Sequence, residues 1–215
     1  MVRLLRRRKL VAALAASAVM VCMAAAWLAF QYIPRWYHQP VLSRSASPDL
    51  QVRLEETFEQ VSQLMARGET FTLSFSARQL NDILAAQPRL WPAAAQWLGQ
   101  GLQHPCVRIL DERLDVGIRW RWGELKSILN VSVGLGIDGH ALFAELHGAG
   151  AGVLPLPAVW LISHLDRPYD DLRLEGARVL VPNEFNWPNG DIPFVLRGIE
   201  LADERLTLTI EPYGY

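Results

Sequence analysis

An uncharged run of 25 residues, from residue 10 to residue 34, constrains this chain more than any other feature. A helix rises about 1.5 Å per residue, so such a run crosses the ~30 Å hydrocarbon core of a bilayer with some tilt. Five basic residues precede the run, and the amphipathic aromatics Tyr32, Trp36 and Tyr37 stand at its far end. This asymmetry predicts a cytoplasmic basic segment at residues 1–9, a transmembrane helix at 10–34, and export of the remainder.

A cleaved signal peptide is the alternative interpretation of the same stretch. Residues 24–26 are three alanines, which would place a cleavage site after Ala26. The apolar run nevertheless continues through Trp27, Leu28 and Phe30, whereas a processed signal normally gives way to polar sequence. We therefore favour an uncleaved anchor. It predicts a single-pass protein of the bacterial cytoplasmic (inner) membrane, with the N-terminus in the cytoplasm and a periplasmic or otherwise extracytoplasmic C-terminal domain.

The exported part is acidic. Residues 35–215 contain 16 Lys and Arg against 22 Asp and Glu, a net charge of −6. This balance argues against nucleic acid as a partner, because nucleic-acid binding requires a basic face. Cys22 lies inside the apolar run and Cys106 stands alone outside it, so the exported part has neither an internal disulfide nor a cysteine-based zinc site.

The region after the anchor starts with a linker at residues 35–47 and continues as one domain at residues 48–215. Apolar residues at helical spacing follow the candidate N-cap Ser47 and predict an amphipathic helix up to Gly68: Leu50, Leu54, Phe58, Val61 and Met65. Alternation at residues 71–75 predicts a strand, and Ser76 with Gln79 predicts a capping box that opens a helix ending at Pro88. A further short helix is expected at residues 91–98.

The second half of the chain has the period of β-structure. Strands are predicted at residues 107–110, 114–122, 128–137, 141–148, 172–174, 178–181, 195–201 and 206–211. Three other segments interrupt them: a glycine-rich bend at 148–152, an apolar helix at 155–165 and a long loop at 182–194. The predicted fold class is α+β, with one extracytoplasmic domain in which a curled antiparallel sheet packs on amphipathic helices.

Two apolar clusters are candidate binding residues. The first is a stripe along one predicted strand together with a residue of the following helix: Val116, Ile118, Trp120, Trp122 and Trp160. The stripe is either part of the core or the lining of a groove for an acyl chain, because ligand sites are concave, apolar and aromatic. The second cluster lies in the long loop and consists of Phe185, Trp187 and Phe194. It is either a lid on the core or an exposed contact surface.

No motif in the sequence indicates catalysis. The five histidines have no metal-ligand spacing, no nucleophile elbow precedes a helix, and the glycines at 148, 150 and 152 lack the context of a phosphate-binding loop. The sequence therefore predicts no catalytic, cofactor-binding or metal-binding residue, and a protein that is not an enzyme.

Two short segments resemble a known family. Residues 71–84, FTLSFSARQLNDIL, place Leu80-Asn81 in a helix after a strand, and residues 152–157, GVLPLP, lead into a helix. This order resembles the single-pass envelope proteins of the YpmS type over residues 70–170, about half the chain. The resemblance implies a membrane-tethered α+β domain without established chemistry. The predicted architecture is also loosely similar to tubular lipid-binding folds.

The expected function is therefore a non-enzymatic envelope protein, tied to the bilayer through residues 10–34, that binds a lipid or other apolar ligand near the membrane. The alternative is an accessory or scaffold subunit of an envelope assembly, such as a secretion or division complex, with an envelope protein as its partner.

Overall fold

The computed structural model describes residues 2–38, 46–90, 101–157, 173–187 and 192–213. It contains a long N-terminal helix, α1 (Val2–Gln31), and two helices that belong to the domain, α2 (Ala46–Arg67) and α3 (Ala77–Leu90). Helix α1 includes a stretch, Leu14–Gln31, that is long and apolar enough to cross a membrane, and none of that stretch is buried against the domain.

The described strands form two open antiparallel sheets. The smaller sheet has the order β1-β11-β10-β9, and the larger has the order β2-β3-β4-β5-β8-β7, with β6 paired to β5. The strands are β1 (Phe71–Ser76), β2 (Leu102–Leu110), β3 (Arg113–Trp122), β4 (Leu125–Asp138), β5 (Ala141–Ala151), β6 (Leu154–Leu156), β7 (Arg173–Glu175), β8 (Arg178–Pro182), β9 (Phe185–Trp187), β10 (Ile192–Ala202) and β11 (Arg205–Pro212). The described part is thus a mixture of helices and antiparallel sheet.

Alternation along the smaller sheet separates an apolar face from a polar one. Phe71 pairs with Ile210 and Leu73 with Leu208, while Thr72 pairs with Thr209 on the opposite face. Residues that face each other across antiparallel strands share one side of the sheet, so the apolar side chains form a continuous surface. Helix α2 covers this surface, and its Val61 and Met65 are buried there with Leu196 and Ile210.

The end of α1 is attached to the larger sheet. Ser127 Oγ donates a hydrogen bond of 2.6 Å to the Phe30 carbonyl, and Val153 N donates one of 3.0 Å to the Ala29 carbonyl. Because the last carbonyls of a helix have no partner inside it, these bonds satisfy groups that would otherwise need water. Gly152, with φ +62°, lies directly against the same turn of the helix, where a side chain would collide with the backbone.

The segment after α1 packs on the larger sheet instead of leaving it. Tyr37 is 7% exposed and forms a small core with Cys106 and Ile128, with Trp36 packed beside it. The Tyr37 hydroxyl donates a hydrogen bond of 2.7 Å to the His104 carbonyl. This gives the first residues of the predicted 35–47 linker a packing role that the sequence pattern did not indicate.

Three details differ from the sequence-based expectation. The predicted loop at 182–194 contains β9 and the start of β10, because Phe185 and Trp187 alternate with Asn186 and pair along β10. In the glycine-rich stretch at 148–152 the strand β5 continues to Ala151, held by β4 and β6 on its two sides, after a register shift just before Gly148, and only Gly152 lies in a turn. Helix α3 passes Pro88 and ends at Leu90. In all three places the regular backbone structure continues through or beside proline and glycine residues that usually end it.

Other expectations are confirmed, wrong in part or outside the described residues. The capping box of α3 is present, since Gln79 N donates to Ser76 Oγ at 3.2 Å and Ser76 N donates to Gln79 Oε1 at 2.8 Å. The predicted helix at 91–98 lies outside the described residues. The predicted helix at 155–165 is wrong at its start, where Pro155 and Leu156 belong to β6 and pair with β5. Beyond Pro157 this segment, with Trp160, lies outside the described residues.

Candidate functional site

An open apolar groove of about 780 Å³ lies between α2 and the apolar face of the smaller sheet. Sixteen of the described residues line it: Gln51, Leu54, Glu55, Thr57, Phe58, Glu59, Val61, Leu73, Phe75, Ile83, Phe185, Trp187, Phe194, Leu196, Leu208 and Ile210. Twelve of these are apolar or aromatic. Its volume lies in the range of roughly 300–1,000 Å³ that is usual for small-molecule sites.

The floor of the groove follows from the strand alternation, and its roof follows from the helical period of α2. Leu73, Leu208 and Leu196 point to the same side of the smaller sheet because their positions are in register. Leu54, Phe58 and Val61 recur on one face of α2 at helical spacing. Val61 is 3% exposed and closes the groove, whereas Leu54 and Phe58 remain only partly buried and border the open space.

An aromatic wall completes the groove at β9 and β10. Phe185 and Phe194 are stacked with their ring centroids 5.4 Å apart. The Trp187 ring lies 4.5 Å from that of Phe58, and its Nε1 donates a hydrogen bond of 3.0 Å to Ser62 Oγ. A partly buried indole normally finds such a partner, and here the partner lies on the helix that roofs the groove. The candidate contact residues Phe185, Trp187 and Phe194 are therefore brought together as one wall of this groove.

Among the described lining residues, every polar side chain belongs to α2. Gln51 Nε2 donates a hydrogen bond of 3.0 Å to Glu55 Oε1, and Thr57 Oγ1 donates one of 2.7 Å to the Arg53 carbonyl. Glu55 and Glu59 are exposed and supply the only charges among the sixteen lining residues. The sheet and the aromatic wall contribute apolar surface alone.

The predicted stripe on β3 lies elsewhere. Val116, Ile118 and Trp120 are half-buried and do not line the groove under α2. The Trp120 ring meets Phe30 of α1 edge-on, with centroids 6.1 Å apart and an interplanar angle of 88°. The side chain of Trp122 and all of Trp160 lie outside the described residues, so the choice between core and groove for this face stays a prediction.

A second depression, of about 570 Å³, lies beside the edge strand β2. Asn81 occupies its wall and uses both ends of its amide, since Nδ2 donates to the Val107 carbonyl at 2.8 Å and Oδ1 accepts from Val107 N at 2.7 Å. These bonds pair backbone groups that an edge strand would otherwise expose. We therefore assign Asn81 a structural role.

The two titratable groups of the small core, Cys106 and Tyr37, are not activated. Burial raises the pKa of the Cys106 thiol, and burial together with the neighbouring Cys106 raises the pKa of Tyr37 to about 12. A nucleophilic cysteine needs a lowered pKa and access, and Cys106 is 4% exposed. Within the described ranges, no three His, Cys, Asp or Glu side chains come together in an arrangement that could hold a metal ion.

The chain matches no protein-family model, no curated protein and no solved structure. Function is therefore inferred from the geometry of the site. The sequence pattern had indicated the aromatic wall and the apolar face of α2 separately. It did not indicate that the two enclose one groove, because that depends on the pairing of β1 with β11, whose partners are more than 100 residues apart in the chain.

Proposed function

We propose that this protein is a membrane-anchored, non-enzymatic protein that binds the hydrocarbon chain of a lipid or a similar apolar ligand in the groove under α2. The observation that carries the proposal is an open groove of about 780 Å³ with an almost wholly apolar and aromatic lining. Burial contributes about 0.8 kcal/mol per methylene, so about eight methylenes would supply roughly 6 kcal/mol before the cost of ordering the ligand.

The position of the groove along the chain supports a ligand that comes from the membrane. Helix α1 ends at Gln31, its last turn is bonded to the larger sheet, and Tyr37 is buried against that sheet. Only the eight steps from His38 to Ala46 separate this attachment from α2, and they span at most roughly 29 Å. A short connection therefore leads from the end of the candidate membrane helix to the helix that roofs the groove, which supports a membrane source for the ligand. We propose that the domain lies on the extracytoplasmic side.

Photocrosslinking tests the proposal directly. The full-length chain is placed in lipid nanodiscs with a 16-carbon alcohol that carries a diazirine in its chain, and the labelled peptides are identified by mass spectrometry. We expect labels on the peptides of α2, β1 and β9–β10.

Two matched variants on β1 make the assay specific for the groove. Leu73→Trp adds bulk inside the groove, whereas Thr72→Trp adds the same side chain at an exposed position on the opposite face of the strand. The larger side chain is expected to keep two methylenes of the probe out of the groove, which costs about 1.6 kcal/mol of binding free energy. Leu73→Trp should therefore reduce labelling by more than about tenfold. Equal labelling of the two variants would refute binding in the groove and would favour the interaction-subunit alternative.

A further inference from the structure

The charges at the border of the groove have one sign. Glu55 and Glu59 stand four residues apart on α2, which brings them to the same side of the helix on successive turns. Of the residues that the structure describes, no Lys or Arg lines the groove. Neither carboxylate forms an ion pair with any residue that the structure describes.

The helix explains only part of this arrangement, since Gln51 Nε2 donates a hydrogen bond to Glu55 Oε1 along α2. Like charges at a spacing of four residues destabilise a helix, so the proximity of Glu55 and Glu59 is not itself a stabilising feature of α2. Glu56 is equally exposed but does not line the groove. An amphiphile whose chain lies in the groove must place its polar head at the polar border, because the sheet and the aromatic wall offer no polar side chain.

We infer, on the basis of the proposed function, that the groove selects amphiphiles with an ammonium headgroup, and that Glu55 and Glu59 receive that cation. A carboxylate or phosphate head without a cation would meet the two negative charges of Glu55 and Glu59, and none of the described lining residues is a Lys or Arg that would offset them. The ammonium could belong to a free long-chain amine or to the ethanolamine of a membrane phospholipid, since the two present the same group to the carboxylates.

Three diazirine probes with the same 16-carbon chain test the inference at neutral pH: an amine, an alcohol and a carboxylic acid. In the wild-type chain we expect the amine to label the groove at least about tenfold more than the acid, with the alcohol between them. Replacement of both carboxylates, Glu55→Gln with Glu59→Gln, should bring the ratio of amine to acid near one. The control Glu56→Gln should leave the ratio unchanged.

Equal labelling by amine and acid in the wild-type chain would overturn the inference and leave the proposed function intact. Failure of all three probes, the alcohol included, would instead contradict the proposed function itself. A second pair of probes identifies the source of the ammonium. Diazirine-bearing phosphatidylethanolamine that labels the groove in preference to phosphatidylglycerol supports the inference and points to a membrane phospholipid. Preference for the free amine over both also supports it and points to a single-chain ligand.

Discussion

Gly117 determines whether the segment after α1 can dock on the larger sheet. The glycine lies in β3 directly beneath the two rings, and an added Cβ would stand 2.8 Å from Trp36 Cη2 and 2.9 Å from Tyr37 Cδ2. Real Cβ contacts are almost never that short. The Tyr37 ring cannot simply tilt away, because its hydroxyl is bonded to the His104 carbonyl at 2.7 Å. Gly117→Ala should therefore weaken docking of the whole segment.

The size of the effect follows from these contacts. Overpacking of a filled site costs about 1–3 kcal/mol, and a lost hydrogen bond costs about 0.5–1.5 kcal/mol. Because the rings of Trp36 and Tyr37 can partly relax, only part of the overpacking cost and of the hydrogen-bond cost is incurred. We expect a net cost of docking of about 1–2 kcal/mol. That cost multiplies the undocked fraction by about 5–30. Compared with glycine, alanine also lowers the backbone entropy of the unfolded chain. This effect changes the free energy of global unfolding and does not offset the cost of docking the segment after α1.

Cys106 provides the assay. It is 4% exposed under Tyr37, and Cys22 is the only other cysteine in the chain. In a Cys22→Ser background, the rate of maleimide labelling of the full-length chain in nanodiscs therefore reports undocking. We expect Gly117→Ala to label about 5–30 times faster than the parent protein.

Gly148→Ala is the matched control for this assay. Gly148 lies in β5, and no heavy atom stands within 4 Å of its added Cβ. Its labelling rate should equal that of the parent protein. If Gly117→Ala labels no faster than Gly148→Ala, the close packing of Trp36 and Tyr37 on Gly117 is wrong.

Two further predictions concern stability. Burial raises the pKa of Tyr37 from 10.0 to about 12. As the pH rises, the Tyr37 hydroxyl therefore loses its proton in the unfolded state before it does so in the folded state. The contribution of Tyr37 to stability should thus fall between pH 10 and 12. Urea unfolding should therefore show a smaller difference between wild type and Tyr37→Phe at the top of that interval than at pH 9, and a constant difference would refute the assigned burial. Asn183 is 5% exposed and bonds both the N–H and the carbonyl of Leu196. Asn183→Ala should lower the free energy of unfolding by about 2–5 kcal/mol, whereas the exposed Asn186→Ala should change it by less than about 0.5 kcal/mol.

Local signals in the sequence predicted several elements well. The capping box of Ser76 and Gln79, the helical spacing on α2 and the alternation at residues 71–75 each correspond to an element in the structure. These signals work because each depends on neighbours within a few positions of the chain. The apolar helix near the N-terminus follows from the same kind of local evidence.

Features that depend on distant contacts could not be predicted from the sequence. The groove requires Leu73 to pair with Leu208, and no local pattern reveals that pairing. Docking of Tyr37 requires that residue 117 has no side chain, because a Cβ there would collide with the Tyr37 ring. The sequence shows only a glycine within a strand and does not indicate what packs on it. The sequence does not reveal the strand β9, because it is only three residues long and the turn-forming residues around it are typical of a loop. It stays a prediction whether the stripe of Val116, Ile118 and Trp120 is part of the core or lines a groove.

The most direct test of the central claim is the lipid content of the purified full-length chain. The protein is extracted with mild detergent, transferred to lipid-free amphipol, and its retained lipid is quantified by native mass spectrometry. We predict one retained amphiphile per chain in the wild type and in Thr72→Trp, and none in Leu73→Trp. The same retained lipid in all three proteins, or none in any, would contradict binding in the groove under α2.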